Sequence, residues 1–175
     1  MLVNGNHRLR ALEPEDAILI FRWENDASTW WLGNTITPFS EATLIKYATG
    51  DHDLYRDKQL RLMIDFKIDG EIWGTVGAVD LYDFDPRNSR AGVGIVIDHD
   101  QRKNGHGEIG LKMIEEYAFQ HLALHQLYAE VPSKHNPSIS LFKKAGYISC
   151  ETRCEWVRGS EGWEDVELMQ LMNRV

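Results

Sequence analysis

The residues with the clearest chemical potential form a glycine loop near the middle of the chain. A β-branched apolar run, Ile95-Val96-Ile97, precedes the loop, and an amphipathic helical pattern follows it. A strand, a glycine loop and a helix N-terminus in series present backbone N–H groups and the positive end of a helix dipole to an anion. The sequence therefore predicts that this loop binds a phosphorylated ligand. The predicted anion-binding residues are Arg102, Lys103, Asn104, Gly105, His106 and Gly107.

The elements that must position this loop show alternating helix and strand patterns. Strands are predicted over 7–12, 59–68, 71–81, 90–97, 124–131, 147–157 and 164–172, and helices over 14–25, 38–49, 108–120 and 136–146. The last two strands flank a turn predicted at 158–162. A strand–helix–strand crossover within a largely antiparallel sheet predicts an α/β fold, with a mixed sheet of about seven strands flanked by about four helices.

The composition favours one compact domain over residues 1–175. The chain is 43% hydrophobic, and it has neither a repeat nor a low-complexity linker. Its net charge of −8 argues against non-specific nucleic-acid binding, which needs a basic surface. No apolar run approaches the roughly 18 residues of a membrane span. Because the first residues lack the apolar core of a signal peptide, we expect a cytoplasmic protein without membrane attachment.

Metal and disulfide chemistry are not expected. Cys150 and Cys154 are four residues apart in a predicted strand, so they share one face and predict reduced, partly buried thiols. His121 and His125 have helical i, i+4 spacing, but they lie where the helix should end, and no partner acid stands out.

Three segments of the chain resemble the GNAT superfamily of acetyltransferases. The loop at 102–107 fills the family pattern R/Q-x-x-G-x-G/A completely. The segment 136–147 is similar to the family's second motif, a helix that ends in Lys-x-Gly-Phe/Tyr, and 9–17 is similar to the opening of the ribosomal-protein and polyamine acetyltransferase branches. The resemblance covers nearly the whole chain.

The resemblance implies that acetyl-CoA donates an acetyl group directly to a primary amine. Amides of the glycine loop would hold the pyrophosphate, and Asn136 would contact CoA. A bulge at Ile95, Val96 and Ile97 would expose amides to the pantetheine arm, while the strand at 124–131 splays away to admit it. Gly92 and Gly94 would ease such a distortion.

Two residues depart from the family pattern. Asn136 lies ten residues before Gly146, one fewer than the common family spacing, so either Asn136 or His135 occupies the family's Asn position. Phe142 stands where many members carry the tyrosine that protonates the departing CoA thiolate. A phenyl ring cannot donate a proton.

The residues that would bind and deprotonate the acceptor amine are harder to identify from the sequence. The candidate general bases are Asp80, at a strand end, and Asp83, in the following loop. Tyr82 could order a water there, and Trp30 and Trp31 lie in the loop that borders the acceptor site in this family.

The main hypothesis is an acetyl-CoA-dependent N-acetyltransferase that acts on a protein N-terminus or a small-molecule amine. One alternative is a polyamine (spermidine or spermine) acetyltransferase. The other is a CoA-binding module with little catalysis, suggested by Phe142. Exposed final strands make a homodimer through edge pairing a further expectation.

Overall fold

The structure, a computed structural model, describes residues 2–33, 35–159 and 161–174. Its strands are β1 (Leu2–Asn4), β2 (His7–Ala11), β3 (Leu60–Ile68), β4 (Ile72–Asp85), β5 (Arg90–Ile97), β6 (Gln126–Pro132), β7 (Ile148–Gly159) and β8 (Gly162–Met172). Its α-helices are α1 (Ala17–Glu24), α2 (Glu41–Ala48), α3 (Leu54–Asp57), α4 (His106–Glu116) and α5 (Asn136–Lys144). Ser160, at the centre of the turn predicted at 158–162, lies outside the described residues.

One mixed sheet organises the molecule. Its strand order is β1-β2-β3-β4-β5-β6-β8-β7, and every neighbouring pair is antiparallel except β5 and β6. The parallel pair is joined by the glycine loop and α4, which make the predicted crossover. The α/β mixed-sheet prediction is confirmed, although the described residues form eight strands rather than about seven, because the three-residue β1 pairs with β2.

Helix ends follow the local signals in the sequence. The Ser40 side chain caps α2 by accepting a hydrogen bond from the Thr43 backbone N–H at 3.2 Å. Gly105 precedes α4 with a φ of 82°, a conformation that glycine adopts without steric cost. A π-helical turn, Tyr117–His121, follows α4. Capping and turn residues thus mark the helix starts to within three residues, and α4 begins at His106, inside the glycine loop and two residues before the predicted start.

The main core lies between one face of the sheet and the helices α4 and α5, which pack on that face. Leu111 and Ile114 of α4 are fully buried against strand residues such as Val79, Val93 and Leu127. Burial of such side chains is the main stabilising term for the fold. In the described part of the chain, no helix is long and apolar enough to span a membrane.

The two cysteines are exposed rather than partly buried. Cys150 and Cys154 are free thiols on β7, which is an edge strand with most of its residues in solvent. The prediction of partial burial is wrong, because β7 lies at the edge of the sheet with both cysteines in solvent. Among the described residues, no group of three or more His, Cys, Asp or Glu side chains is arranged to hold a metal ion.

Candidate functional site

The parallel strands β5 and β6 separate soon after they meet. They pair at only three positions, Arg90 with Gln126, Ala91 with Leu127 and Gly92 with Tyr128. Beyond Gly92 the two strands continue without pairing. The result is a V-shaped opening in the middle of the sheet, which we call the cleft, with its apex at Gly92. The predicted splay of the strand after α4 is therefore present.

The edge of β5 that faces the cleft carries backbone amides without ladder partners. Asp98 N–H donates to Val76 O of β4 at 2.9 Å. Because N–H directions alternate along an antiparallel strand, the Val96 amide also points to β4. The amides of Ile95 and Ile97 point the other way, into the cleft. Two of the three predicted residues thus present amides to a ligand, and Val96 does not.

The predicted bulge at 95–97 is wrong. β5 keeps a single register with β4 over 92–97. The irregularity lies in β4, between Tyr82 and Asp85, where Asp83 has a φ of 48°. A bulge in β5 is unnecessary because the divergence of β6 already leaves the alternate amides of β5 unpaired.

The glycine loop lies at the open end of the cleft. Lys103 and Gly105 both have positive φ values, 66° and 82°, which turn the chain sharply into α4. In the described structure, no protein acceptor takes the backbone N–H groups of 103–108. These amides and the α4 dipole favour a bound anion.

Gly107 keeps the passage between the loop and the cleft open. A Cβ on Gly107 would lie 3.5 Å from Ile97 Cγ1 and 3.6 Å from Leu141 Cδ2, which are ordinary contact distances. Those two residues belong to β5 and α5, on either side of the passage. A longer side chain at 107 would therefore enter the space that leads from the anion site into the cleft.

The His106 side chain points into the core, so only its backbone amide is available to an anion. His106 Nδ1 lies 2.8 Å from His7 Nε2, and Phe66 packs on both rings. Burial lowers the pKa of each histidine, and for His7 the neighbouring His106 lowers it further. A neutral pair can share one hydrogen bond, which ties the start of α4 to β2.

Asp98 ties the segment that enters the loop to α1, and the sequence analysis missed it. Its Oδ2 accepts from Arg22 Nη2 at 2.5 Å and from Trp23 Nε1 at 3.0 Å. Burial opposes ionisation, but the hydrogen bonds from Trp23 and Arg22 lower the pKa of Asp98 overall. The partners lie about 75 residues away, so no local pattern points to this contact.

His135, rather than Asn136, faces the donor loop. His135 occupies the cap position of α5, and its ring packs edge-on against Trp31 with 5.7 Å between centroids. Burial lowers the pKa of His135, and the charge of nearby Arg102 lowers it further. Asn136 is the first helical residue and is exposed. The choice between Asn136 and His135 for the family's Asn position stays a prediction.

The two tryptophans take different roles. Trp30 Nε1 donates to Glu24 O at 2.8 Å, which closes the loop onto the end of α1. Trp31 donates to Ser28 O at 2.9 Å and contacts His135 at the start of α5. Trp31 therefore borders the open end of the cleft, whereas Trp30 stabilises its own loop.

Asp80 lies near the apex on the face opposite α4, in an ion-pair cluster. Arg61 Nε and Nη2 donate to both Asp80 oxygens at 2.8 and 3.0 Å, and Arg61 Nη1 donates to Glu24 Oε1 at 2.9 Å. Burial would lower the pKa of Arg61, but Asp80 and Glu24 raise it above its ordinary value. The cluster of Glu24, Arg61 and Asp80 carries a net charge of −1 and faces Gly94, whose Cβ would lie 3.9 Å from Asp80 Oδ2.

Asp83 lies apart from Asp80. It is exposed at the β4 irregularity, and its Oδ2 accepts a hydrogen bond from the Tyr128 hydroxyl at 3.3 Å. Asp80 pairs with Arg61 beside Gly94, whereas Asp83 contacts Tyr128 of β6, and the choice between the two candidate bases stays a prediction.

Family and structural comparisons agree with this geometry. The profile of the acetyltransferase (GNAT) domain matches residues 7–148. The chain belongs to the GNAT acetyltransferase family. No curated protein matches it.

Solved structures share the fold over nearly the whole chain. Spermidine N-acetyltransferase from Vibrio cholerae in complex with CoA and spermine is 19% identical, with a TM-score of 0.82 over 97% of this chain and 96% of that one. A dodecameric structure of spermidine N-acetyltransferase from Vibrio cholerae in an intermediate state is 20% identical, with a TM-score of 0.78 over 97% and 95%.

Membership in the GNAT family makes this chain an acetyl-CoA-dependent N-acetyltransferase, and the residues present fit the co-substrate. The pyrophosphate needs a helix N-terminus with unpaired amides, and the start of α4 supplies it. The pantetheine arm needs a strand edge with free backbone amides along the cleft, and β5 supplies this edge. The family tyrosine has no counterpart, because Phe142 is 3% exposed and packs on Tyr147 with ring centroids 5.0 Å apart.

Proposed function

We propose that the chain acetylates a primary amine at the apex of the cleft. The pyrophosphate of acetyl-CoA would lie on the amides of 103–107 and the pantetheine arm along Ile95 and Ile97, with His135 beside the arm. The observation that carries this proposal is the separation of β5 and β6 after three paired residues, with the α4 N-terminus following the opposite end of β5.

The acceptor would enter from the face that carries α1 and α2. There the net negative cluster around Arg61 attracts an ammonium, and Asp80 of this cluster faces Gly94 on β5. The amine nitrogen attacks the thioester carbonyl after it loses a proton to Asp80 or to a water held there. Both Asp80 oxygens keep lone pairs while they accept from Arg61, so the ion pair does not block this role.

The charge pattern favours a single amino group over a polyamine. Glu24 and Asp80 lie in the cluster at this face, and both are already bound to Arg61. A polycation needs several free carboxylates along its length. A protein N-terminus or a small monoamine needs one. We therefore place the polyamine second, although the structural relatives above are spermidine N-acetyltransferases.

A thiol-release assay tests the proposal. The protein is incubated with acetyl-CoA and, separately, spermidine, single amino acids and short peptides with free N-termini. We expect thiol release that depends on one of the monoamines or peptides. Release only with spermidine would move the polyamine to first place, and CoA binding without release on the whole panel would favour a binding module.

Two finer proposals concern assembly and location. The long exposed edge of β7 supports a homodimer, because unpaired strand edges recruit other strands. The free, exposed Cys150 and Cys154 suit a reducing compartment such as the cytoplasm.

A further inference from the structure

The departing CoA sulfur needs a hydrogen-bond donor that Phe142 cannot provide. When the carbon–sulfur bond breaks, its electron pair stays on sulfur, and negative charge grows there. A donor aimed at that atom lowers the barrier. Phe142 has no polar hydrogen and is buried against Tyr147. Any hydroxyl that replaces it must lie at the apex, where the thioester end of the arm arrives.

Tyr82 occupies the apex. It pairs with Gly92 across β4 and β5, and its ring lies directly over that glycine, so that a Cβ on Gly92 would overlap the ring carbons. Gly92 thus has a different role from the expected strand distortion, because it makes room for the Tyr82 ring. Tyr128 packs edge-on against the same ring, with centroids 5.8 Å apart.

The Tyr82 hydroxyl reaches across to β6. The backbone N–H of Glu130 interacts with it, two residues beyond Tyr128, where the last β5–β6 pair occurs. Glu130 therefore lies on the part of β6 that has already left β5. Tyr82 Cζ, which carries the hydroxyl, is among the ring atoms that would overlap a Cβ on Gly92, so the hydroxyl lies at the apex where β5 and β6 separate.

We propose that the Tyr82 hydroxyl donates a hydrogen bond to the thioester sulfur and stabilises the departing thiolate. This inference rests on the proposed donor site. The amine nitrogen forms the new bond to the carbonyl carbon, the carbon–sulfur bond breaks, and the electron pair remains on sulfur. The amine proton leaves to Asp80 or water, and the thiolate gains a proton from solvent on release, so Tyr82 keeps its own proton.

The environment of Tyr82 suits a donor. Its hydroxyl carries one hydrogen, which can point at another atom. Burial raises the pKa of Tyr82 above its ordinary value, so the phenol remains protonated at every working pH.

The test compares binding of CoA with binding of desulfo-CoA, in which a hydrogen replaces the thiol, by titration calorimetry. We expect wild type to bind CoA about fivefold tighter than desulfo-CoA, which is the usual contribution of one hydrogen bond to binding. Tyr82→Phe should bind both equally and keep the affinity for desulfo-CoA. Tyr128→Phe is the matched control, because it removes the neighbouring hydroxyl of the same aromatic pair, and it should keep the preference.

Two results would overturn the inference alone. These are a CoA preference that survives in Tyr82→Phe, or wild type without any preference. Failure of wild type to bind either compound would overturn the donor site and this inference with it. With the acceptor found by thiol release, we expect Tyr82→Phe to lower kcat at least tenfold and leave the acceptor KM unchanged.

Discussion

At the scale of single residues, the site depends on contacts between side chains far apart in the sequence. Arg61 joins Asp80, 19 residues away, to Glu24, 37 residues away. Its side chain is only 14% exposed, so two carboxylates depend on one shielded cation. Asp80 is therefore both the candidate base and half of a structural ion pair, and its position at the apex is set by Arg61.

Arg61→Leu should destabilise the protein by about 3 kcal/mol, because it leaves two partly buried carboxylates without a counter-charge. Urea unfolding at pH 7.5 measures the loss. Arg56→Leu is the control, since Arg56 forms its ion pairs with Asp51 and Asp57 at the surface, and we expect no measurable change. Equal stability of Arg61→Leu and wild type would contradict a structural role for the cluster.

The His7–His106 pair predicts a pH-dependent stability. Both folded-state pKa values lie below the ordinary 6.5, so the unfolded chain takes up protons first as the pH falls. Stability is unaffected well above pH 6.5 and decreases as the pH drops below it. His7→Gln removes one of these groups. Between pH 7.5 and 5.0, the free energy of unfolding of wild type should therefore fall by about 1 kcal/mol more than that of this variant.

Unfolding midpoints at the two pH values measure this difference. His99→Gln is the control, because the His99 side chain is 82% exposed, and this variant should follow wild type. If the stability of His7→Gln decreases with falling pH as much as that of wild type, the histidine pair is not the cause of the pH dependence.

At the scale of elements, the donor site is a loop, a helix N-terminus and a strand edge. The loop and the helix N-terminus follow from local sequence signals, because the glycines set the turn and the apolar periodicity sets α4. That is why the loop and the crossover could be predicted from sequence. The free strand edge instead depends on the divergence of β6 from β5. The four-residue α3 and the three-residue β1 were missed because elements so short leave no periodicity.

Tertiary pairing accounts for the remaining differences. Tyr82 was assigned to a polar turn, but β4 continues to Asp85 because its final residues pair with β5. The partners of Asp98 and Asp80 are set by how α1 and β3 pack on the sheet, which no short pattern encodes. Consequently the donor end of the site was predictable, whereas the partners that hold the acceptor end were not.

Gly107 gives a direct test of the donor elements. Gly107→Ala should fold normally and keep most of its CoA affinity, since the added Cβ meets Ile97 and Leu141 at ordinary distances. Gly107→Glu should fold but lose at least thirtyfold in CoA affinity, because the longer acidic side chain enters the passage and repels phosphate. Calorimetric titration with CoA measures the affinity of each variant, and circular dichroism shows whether each variant folds. A folded Gly107→Glu with unchanged affinity would mean that the pyrophosphate lies elsewhere.

At the scale of the whole molecule, the two sheet edges differ. β1 is three residues long, and such a short edge offers little to a second chain. β7 is twelve residues long and mostly exposed. Trp156 and Trp163, on the β7–β8 hairpin, are 57% and 63% exposed. The β7–β8 hairpin therefore combines a long exposed strand edge with two exposed tryptophans. We expect this hairpin to be buried against a second copy of the chain.

Replacing both tryptophans, Trp156→Glu with Trp163→Glu, should therefore convert an assembly into a 20.2 kDa monomer. Sedimentation velocity across a range of protein concentrations measures this, and wild type should sediment as a dimer or larger. Ile18→Glu is the control, since Ile18 is 73% exposed on α1, away from the hairpin, and its assembly should match wild type. Wild type that sediments as a monomer at every concentration would contradict the dimer. In that case the hairpin would be free in solution, and the chain would act as a single catalytic domain.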